Sequence, residues 1–370
     1  MATLRGERVD RPAVSFYELN GLDEDPTDGD AYNIFSHSSW GPLLALTREK
    51  TDRIVMRGVA YTAITPDPLV GIAEEETWTE GDSRYTTRTL RLGERTLRSR
   101  TRRDREVNTV WVEEHLFKGV EDVKGFLELP HPGGALAVDT ASVLEAEAAL
   151  GESGIVMIDT PDPLCLAAGL FSMADYTVTA LTEEALFHRL LDWFAADVLP
   201  KTAAVAAALP GRLWRIYGPE YATPPYLPPR LFEAYVNRYV EPMIEVIHKH
   251  GGLARIHSHG NIRQVLDYIV GMGADGIDPI EPVPQGDVSL RYVRERYGRE
   301  LVLFGNLEIS DIENMPTEQF AEKVKQALEE GTAGEGRGFV LMPSACPYGR
   351  ELGALTLRNY EKMIEIVEGW

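Results

Sequence analysis

Short apolar runs rich in Val, Ile and Leu recur along the chain, and stretches with a helical apolar period separate them. Buried parallel strands read as such runs, because both of their faces are covered. Eight are present. They are Ala13–Leu19, Arg53–Arg57, Gly154–Ile158, Arg212–Tyr217, Leu253–Ser258, Gly276–Asp278, Leu301–Phe304 and Gly338–Met342. Helices fit the gaps. One starts near Trp40. Pro229-Arg230 opens another that carries Phe232, Tyr235, Val236, Tyr239, Met243 and Ile247, and Gly251-Gly252 stops it. Asn261 is placed to cap the next and Asp287 the one after. Thr317 opens the stretch that ends at Gly331, and the last helix runs from about Leu357 to Trp370. Eight βα units in series predict an α/β fold of the (β/α)₈ TIM-barrel class, as one domain spanning residues 1–370. A doubly wound sheet is the alternative, since strand order is not written in the sequence.

One segment breaks the alternation. From Glu74 to Asn108 there is no helical period, and the pattern reads as a β-hairpin turning at Gly93. The prediction is a hairpin insertion after strand two, residues 74–108. It carries nine arginines between Arg84 and Arg105. A solvated, charge-guarded edge is the simpler reading. A dock for an acidic partner, an anionic substrate or a second copy in a homodimer is the functional one.

Charge and cysteine content narrow the rest. A net charge of −21 on 370 residues argues against nucleic acid and anionic membranes as general partners. No run approaches the roughly 20 apolar residues that span a bilayer. Two cysteines, Cys165 and Cys346, leave no disulfide framework, so a cytoplasmic setting is expected.

Candidate chemistry collects at the predicted C-terminal ends of the strands, where barrels keep their active sites. His257 and His259, two apart at the end of strand five, would face the same way, and paired imidazoles suit zinc. Cys346 lies just past strand eight and opens onto the same mouth. Two imidazoles and a thiolate make a ligand set for catalytic zinc with a fourth position open. Glu220 after strand four and Glu281 after strand six are candidate acid/base groups. Tyr217, Tyr221, Asp278 and Asn306 are candidate substrate contacts. Each also has a plainer reading: a hydrogen-bonded polar strand end, a solvated loop acid, or an ordinary small cysteine.

His257-Ser258-His259-Gly260, Gly276-Ile277-Asp278, Glu281-Pro282, Gly286-Asp287, Gly305-Asn306 and Phe339-Val340-Leu341-Met342-Pro343-Ser344 occur in that order. The series resembles the uroporphyrinogen decarboxylase superfamily, which includes a heme-pathway decarboxylase and zinc-dependent methyltransferases linked to corrinoids. The resemblance runs from about Gly154 to Trp370. It implies a TIM barrel acting on a small molecule. The decarboxylase's arginine-rich N-terminal motif is missing from Ala13–Gly21. The methyltransferase branch has His-x-Cys at strand five and a Cys after strand eight. Here His259 replaces the first thiolate and Cys346 matches the second. The resemblance therefore implies Zn²⁺ and methyl transfer between a small acceptor and a corrinoid on a partner protein. A carboxy-lyase and a non-catalytic ligand-binding barrel are the alternatives.

Overall fold

The computed structural model describes residues 1–63, 71–130 and 136–370. Fourteen strands are present among them. The eight predicted runs become β1 (Ala13–Val14), β2 (Arg53–Arg57), β9 (Gly154–Pro161), β10 (Leu213–Tyr217), β11 (Leu253–His257), β12 (Gly276–Asp278), β13 (Val302–Leu307) and β14 (Phe339–Pro343). These pair in parallel in the order β1-β14-β13-β12-β11-β10-β9-β2. The Asp52 N–H donates to the Val14 carbonyl at 2.7 Å and links the two outer strands, so the sheet comes round into a barrel. The Asp52 carboxylate adds a bond from the Val14 N–H at 2.9 Å. Closure removes the free edges that an open sheet would expose.

Alternation along each strand sorts residues between two cores. Leu213 and Leu253 point into the barrel with Met157, Val302, Phe304, Val340 and Met342, and Leu4 of the first helix packs with them. Trp214, Ile216, Ala254, Ile256, Ile277, Leu303 and Leu341 point outward into a large buried layer shared with the helices. The same period turns Arg215 and Arg255 inward, and it sets His257 on the inner face at the strand's C-terminal end.

The helices largely follow the predicted spans, including Thr317–Gly331 and Ala354–Glu368. Two caps differ. Asn261 makes no side-chain cap bond. Ser289, not Asp287, caps the helix Leu290–Tyr297 by accepting from the Tyr292 N–H. Asp287 accepts instead from the Arg263 N–H at 3.0 Å, holding the neighbouring loop. A Ser hydroxyl directly before a helix reaches the N3 amide better than a carboxylate two residues further out.

Strand one is shorter than its apolar run because Tyr17 adopts φ 58°, which ends the extended chain. The insertion holds the expected hairpin, β5 (Ser83–Leu92) against β6 (Arg95–Asp104), with Gly93 in the turn at φ 60°. It is larger than predicted. β4 (Ala73–Glu80) and β7 (Val110–Glu114) flank the hairpin and make a four-stranded antiparallel sheet. A separate two-stranded pair, β3 (Ala60–Ala63) with β8 (Leu136–Asp139), was not foreseen. Leu90 and Leu97, opposite each other, anchor the sheet in the main core at 2% and 3% exposure.

The arginines of this sheet are largely neutralised by the chain itself. Arg84 meets Asp30; Arg91, Glu74; Arg95, Glu121; Arg98, Glu114; Arg100 and Arg102, Glu113; Arg105, Asp82. Arg103 donates to the Tyr32 carbonyl and to Asn108. The guarded-edge reading therefore has the better support. Among the described residues no helix is long and apolar enough to cross a membrane.

Candidate active site at the barrel mouth

His257 is the last residue of β11 and stands opposite Asp278, the last residue of β12. Parallel register puts both side chains on the inner face. Asp278 is fully buried and takes three donors. Arg255 grips it with Nε and Nη2, and His257 Nδ1 lies 2.8 Å from its Oδ2. Burial opposes the charge on Asp278, but Arg255 and His257 outweigh it and hold the carboxyl far below the usual range. Expected at the substrate, Asp278 instead sits behind His257 and fixes its ring. The other face of Arg255 lies 4.3 Å from the Phe304 ring centre, with the Met157 and Met342 sulfurs at 3.8 and 3.9 Å.

His259 repeats the pattern one step further out. Its Nδ1 lies 2.8 Å from Glu281 Oε1, and the second Glu281 oxygen accepts the Gly260 N–H at 2.7 Å. Gly260 sits at φ 86°, which turns its amide back toward that carboxylate. Burial disfavours the charged form of His259. The hydrogen bond and charge of Glu281 more than offset it, and Glu220 and Asp278 add to them, so its pKa is raised. Burial opposes Glu281 too, yet His259 and Gly260 lower its pKa. Each shift favours the charged form of its group, imidazolium on His259 and carboxylate on Glu281. The two imidazoles are neighbours, with centroids 4.7 Å apart and planes at 86°. Each has Nδ1 fixed by a carboxylate, and neither Nε2 has a protein partner among the described residues.

The remaining expected residues fall in three places. Glu220 lies in the turn Pro219–Ala222 after β10, where Oε2 accepts the Gly218 N–H at 3.1 Å. It is near enough to raise the His259 pKa. Tyr217 and Tyr221 flank it, half-buried, Tyr217 beside Arg215 and Tyr221 against Tyr176. Burial pushes both phenols up to about 12. Asn306 faces a separate cleft between β13 and the outer helices. Cys346 points to Glu18, Sγ to Oε2 3.4 Å, and burial followed by Glu18 raises its pKa well above the ordinary thiol range.

The arrangement fits the expected zinc set only in part. The two imidazoles have the ligand form, with carboxylates fixing the remote nitrogen. The Cys346 thiol is turned to Glu18, and among the described residues no three His, Cys, Asp or Glu side chains come together as a metal-binding group. The His257–His259–Cys346 set is thus not preformed among the described residues.

Several site residues were not singled out from the sequence. Tyr17 stacks beside His257, centroids 6.2 Å apart, and its hydroxyl accepts from Arg215 at 2.8 Å. Arg215 is in turn held by Asp159 at 2.7 Å. Inward-facing arginines on β10 and β11 were visible as an i, i+2 break in apolar runs, and that is the signal that could have found them. Asp162 is fully buried at the end of β9 with Oδ2 unpaired among the described residues, and burial raises its pKa well above the usual range.

The fold and site together define a (β/α)₈ barrel with a histidine–carboxylate centre at its C-terminal mouth. The model of the uroporphyrinogen decarboxylase (URO-D) family matches residues 112–368, so the chain belongs to that family. Among solved structures, a methyltransferase from Methanosarcina mazei aligns at 17% identity and TM-score 0.59, over 99% of this chain and 96% of that one. The likeness shows a shared fold. A D-psicose 3-epimerase in the presence of D-fructose aligns at 11% and TM-score 0.31, over 62% of this chain and 91% of that one. D-psicose 3-epimerase from Clostridium cellulolyticum H10 with D-tagatose gives 10% and 0.34, over 62% and 84%. Those two overlap too little to bear on this chain. No curated protein matches it.

Proposed function

We propose that the protein is an enzyme that moves a methyl group to or from a small molecule at the barrel mouth. The observation that carries the reading is the pair of adjacent imidazoles, each with Nδ1 fixed by a carboxylate and Nε2 without a protein partner. Membership of the URO-D family and the fold shared with the Methanosarcina mazei methyltransferase support it. The methyl carrier is proposed to be a corrinoid on a partner protein. Zinc is proposed at His257 and His259, where it would supply Lewis-acid activation of the acceptor.

The residues' own part is proton handling. With no metal on its Nε2, and once deprotonated, His259 takes the proton of an acceptor S–H or O–H there, and Glu281 stabilises the imidazolium formed. The freed lone pair bonds to the methyl carbon, and the carrier–methyl bond breaks with its electrons going to the carrier. In reverse, the imidazolium returns the proton. Arg255 and Asp278 keep His257 in place, which preserves the geometry on which such transfer depends.

The test follows the loss of methyl–cobalt absorbance when methylcobalamin and 2-mercaptoethanol are mixed with the protein. Metal is measured in the wild type, His257→Ala and Cys346→Ser. Turnover in the wild type and a loss of about tenfold or more in Glu281→Gln are expected. Zinc is expected in the wild type and depleted in His257→Ala. Absent turnover, together with CO₂ release from a carboxylic acid, would move the reading to a carboxy-lyase. The contact of Glu281 with His259, which favours the imidazolium, supports that second reading, since an imidazolium is the donor a decarboxylated carbon needs.

A further inference from the structure

Beside the mouth, past the Glu281-Pro282 corner, lies a cleft of about 240 Å³. At roughly 30 Å³ per water it has room for a molecule of about eight heavy atoms. Pro282, Val288, Leu290, Leu307 and Ala327 give it a mainly apolar wall. Three carboxylates also line it, and two of them are occupied. Asp311 is paired with Lys323 at 2.5 Å. Glu330 accepts the Arg291 N–H at 2.9 Å and Gln326 Nε2 at 2.9 Å.

Glu308 is different. It is 7% exposed, and Ser344 Oγ donates to its Oε2 at 3.1 Å. Its Oε1 has no donor among the described residues. A buried carboxylate oxygen without a donor is costly, and a cationic N–H donor is the partner that relieves it most. Burial, then the nearby Glu281, raises the Glu308 pKa. The apolar wall beside it would take a short hydrocarbon body.

We propose that this cleft binds a small primary ammonium compound, with the ammonium on Glu308 and the alkyl chain on the apolar wall. None of His257, His259 and Glu281 lines the cleft, although Glu281 lies close enough to act on Glu308, and the proposal stands whether or not methyl transfer is the reaction. The same ammonium could be carried by a free amine or by a lysine side chain, so the test includes both.

The experiment is calorimetric titration of the whole protein with n-butylammonium, with butyrate as the counter-probe and Nα-acetyl-lysine amide as the lysine arm. Wild type should bind n-butylammonium and not butyrate. Glu308→Gln keeps the size and the acceptor for Ser344 but removes the charge, and it should weaken binding about tenfold or more. Ala327→Leu fills the cleft from the helix side and should abolish binding while leaving Glu308 intact, so the two variants check each other. Binding of acetyl-lysine amide as well would point to a protein lysine, and its exclusion to a free amine. Absent n-butylammonium binding, equal binding by wild type and both variants, or equal binding of butyrate would each overturn the proposal.

Discussion

Replacing Asp278 by Asn should destabilise the barrel more than any other one-atom change at the mouth. The substitution keeps the shape and removes the charge. Asp278 is fully buried, and Arg255, also inside the barrel at 2% exposure, loses the only carboxylate it pairs with among the described residues. What remains around the guanidinium is the Phe304 ring and two thioether sulfurs. A cation over a ring contributes about 1–2 kcal/mol when desolvated, which does not replace a bidentate carboxylate. Breaking a buried pair by removing one partner costs about 3–5 kcal/mol. With unfolding entropy of roughly 2.1 cal/mol/K per residue, that is a fall in Tm of about 4–6 °C for a chain this long. The sign with pH is also fixed. The folded pKa of Asp278 is lowered, so its contribution is present above the unfolded pKa and is lost as pH falls through the folded one. Thermal unfolding followed by circular dichroism at neutral and acidic pH reads both. Asp278→Asn should melt lower at pH 7 and show a flatter loss on acidification. The double variant Arg255→Met, Asp278→Asn should recover much of the difference, because no charge is then left buried. An unchanged Tm in Asp278→Asn would show that Arg255 has another counter-charge, and the account of how His257 is held would fail.

Three further outcomes are expected. In the metal-free protein, an NMR titration should place the His259 pKa above that of a free imidazole, and Glu281→Gln should bring it down; stability from this pair is lost as pH rises through the raised His259 pKa and as pH falls through the lowered Glu281 pKa. Cys346 should resist a disulfide exchange reagent in the native protein at neutral pH, because burial and Glu18 keep it a thiol, and Glu18→Gln should speed its reaction; rapid labelling of the wild type would contradict the placement. Gly218→Ala should cost more than an ordinary Gly→Ala change, since the residue sits at φ 124° and a Cβ would come within 2.1 Å of Asp162 Oδ1; a melting temperature equal to wild type would contradict the close approach.

The barrel was legible because a parallel sheet buried on both faces writes itself as uninterrupted apolar runs. All eight runs became strands, and β2 and β12 match to the residue. The misses have local causes. Tyr17 at positive φ cut the first strand short, and neither Tyr nor its neighbours signal a left-handed residue. The arginine-rich hairpin was found from its alternation and Gly93. Its flanking strand Ala73–Glu80 holds four glutamates and Ala, which are poor strand formers. Pairing with β5 sets Glu74, Glu75 and Glu76 across from Thr89, Arg88 and Thr87, so the contacts that make it a strand lie in another segment.

At the site, sequence order found the right corner of the barrel but not the direction of each side chain. His257 and His259 did come together, because strand alternation and the Gly260 turn are both local. The pairing of each with its carboxylate, Asp278 and Glu281, depends on the register of β11 against β12, which the sequence does not state. Cys346 shows the limit most clearly. It belongs to the loop after β14, as expected, yet a loop has no period to say which way its thiol turns. Glu18, at the end of the first apolar run and far away in sequence, settles it. The same reasoning explains why Arg255 was passed over as a functional group. A charged residue inside an apolar run is expensive to bury alone, so its presence is itself a statement that a partner exists. For Arg255 that partner is Asp278, one strand over, and through it the arginine sets the ring of His257.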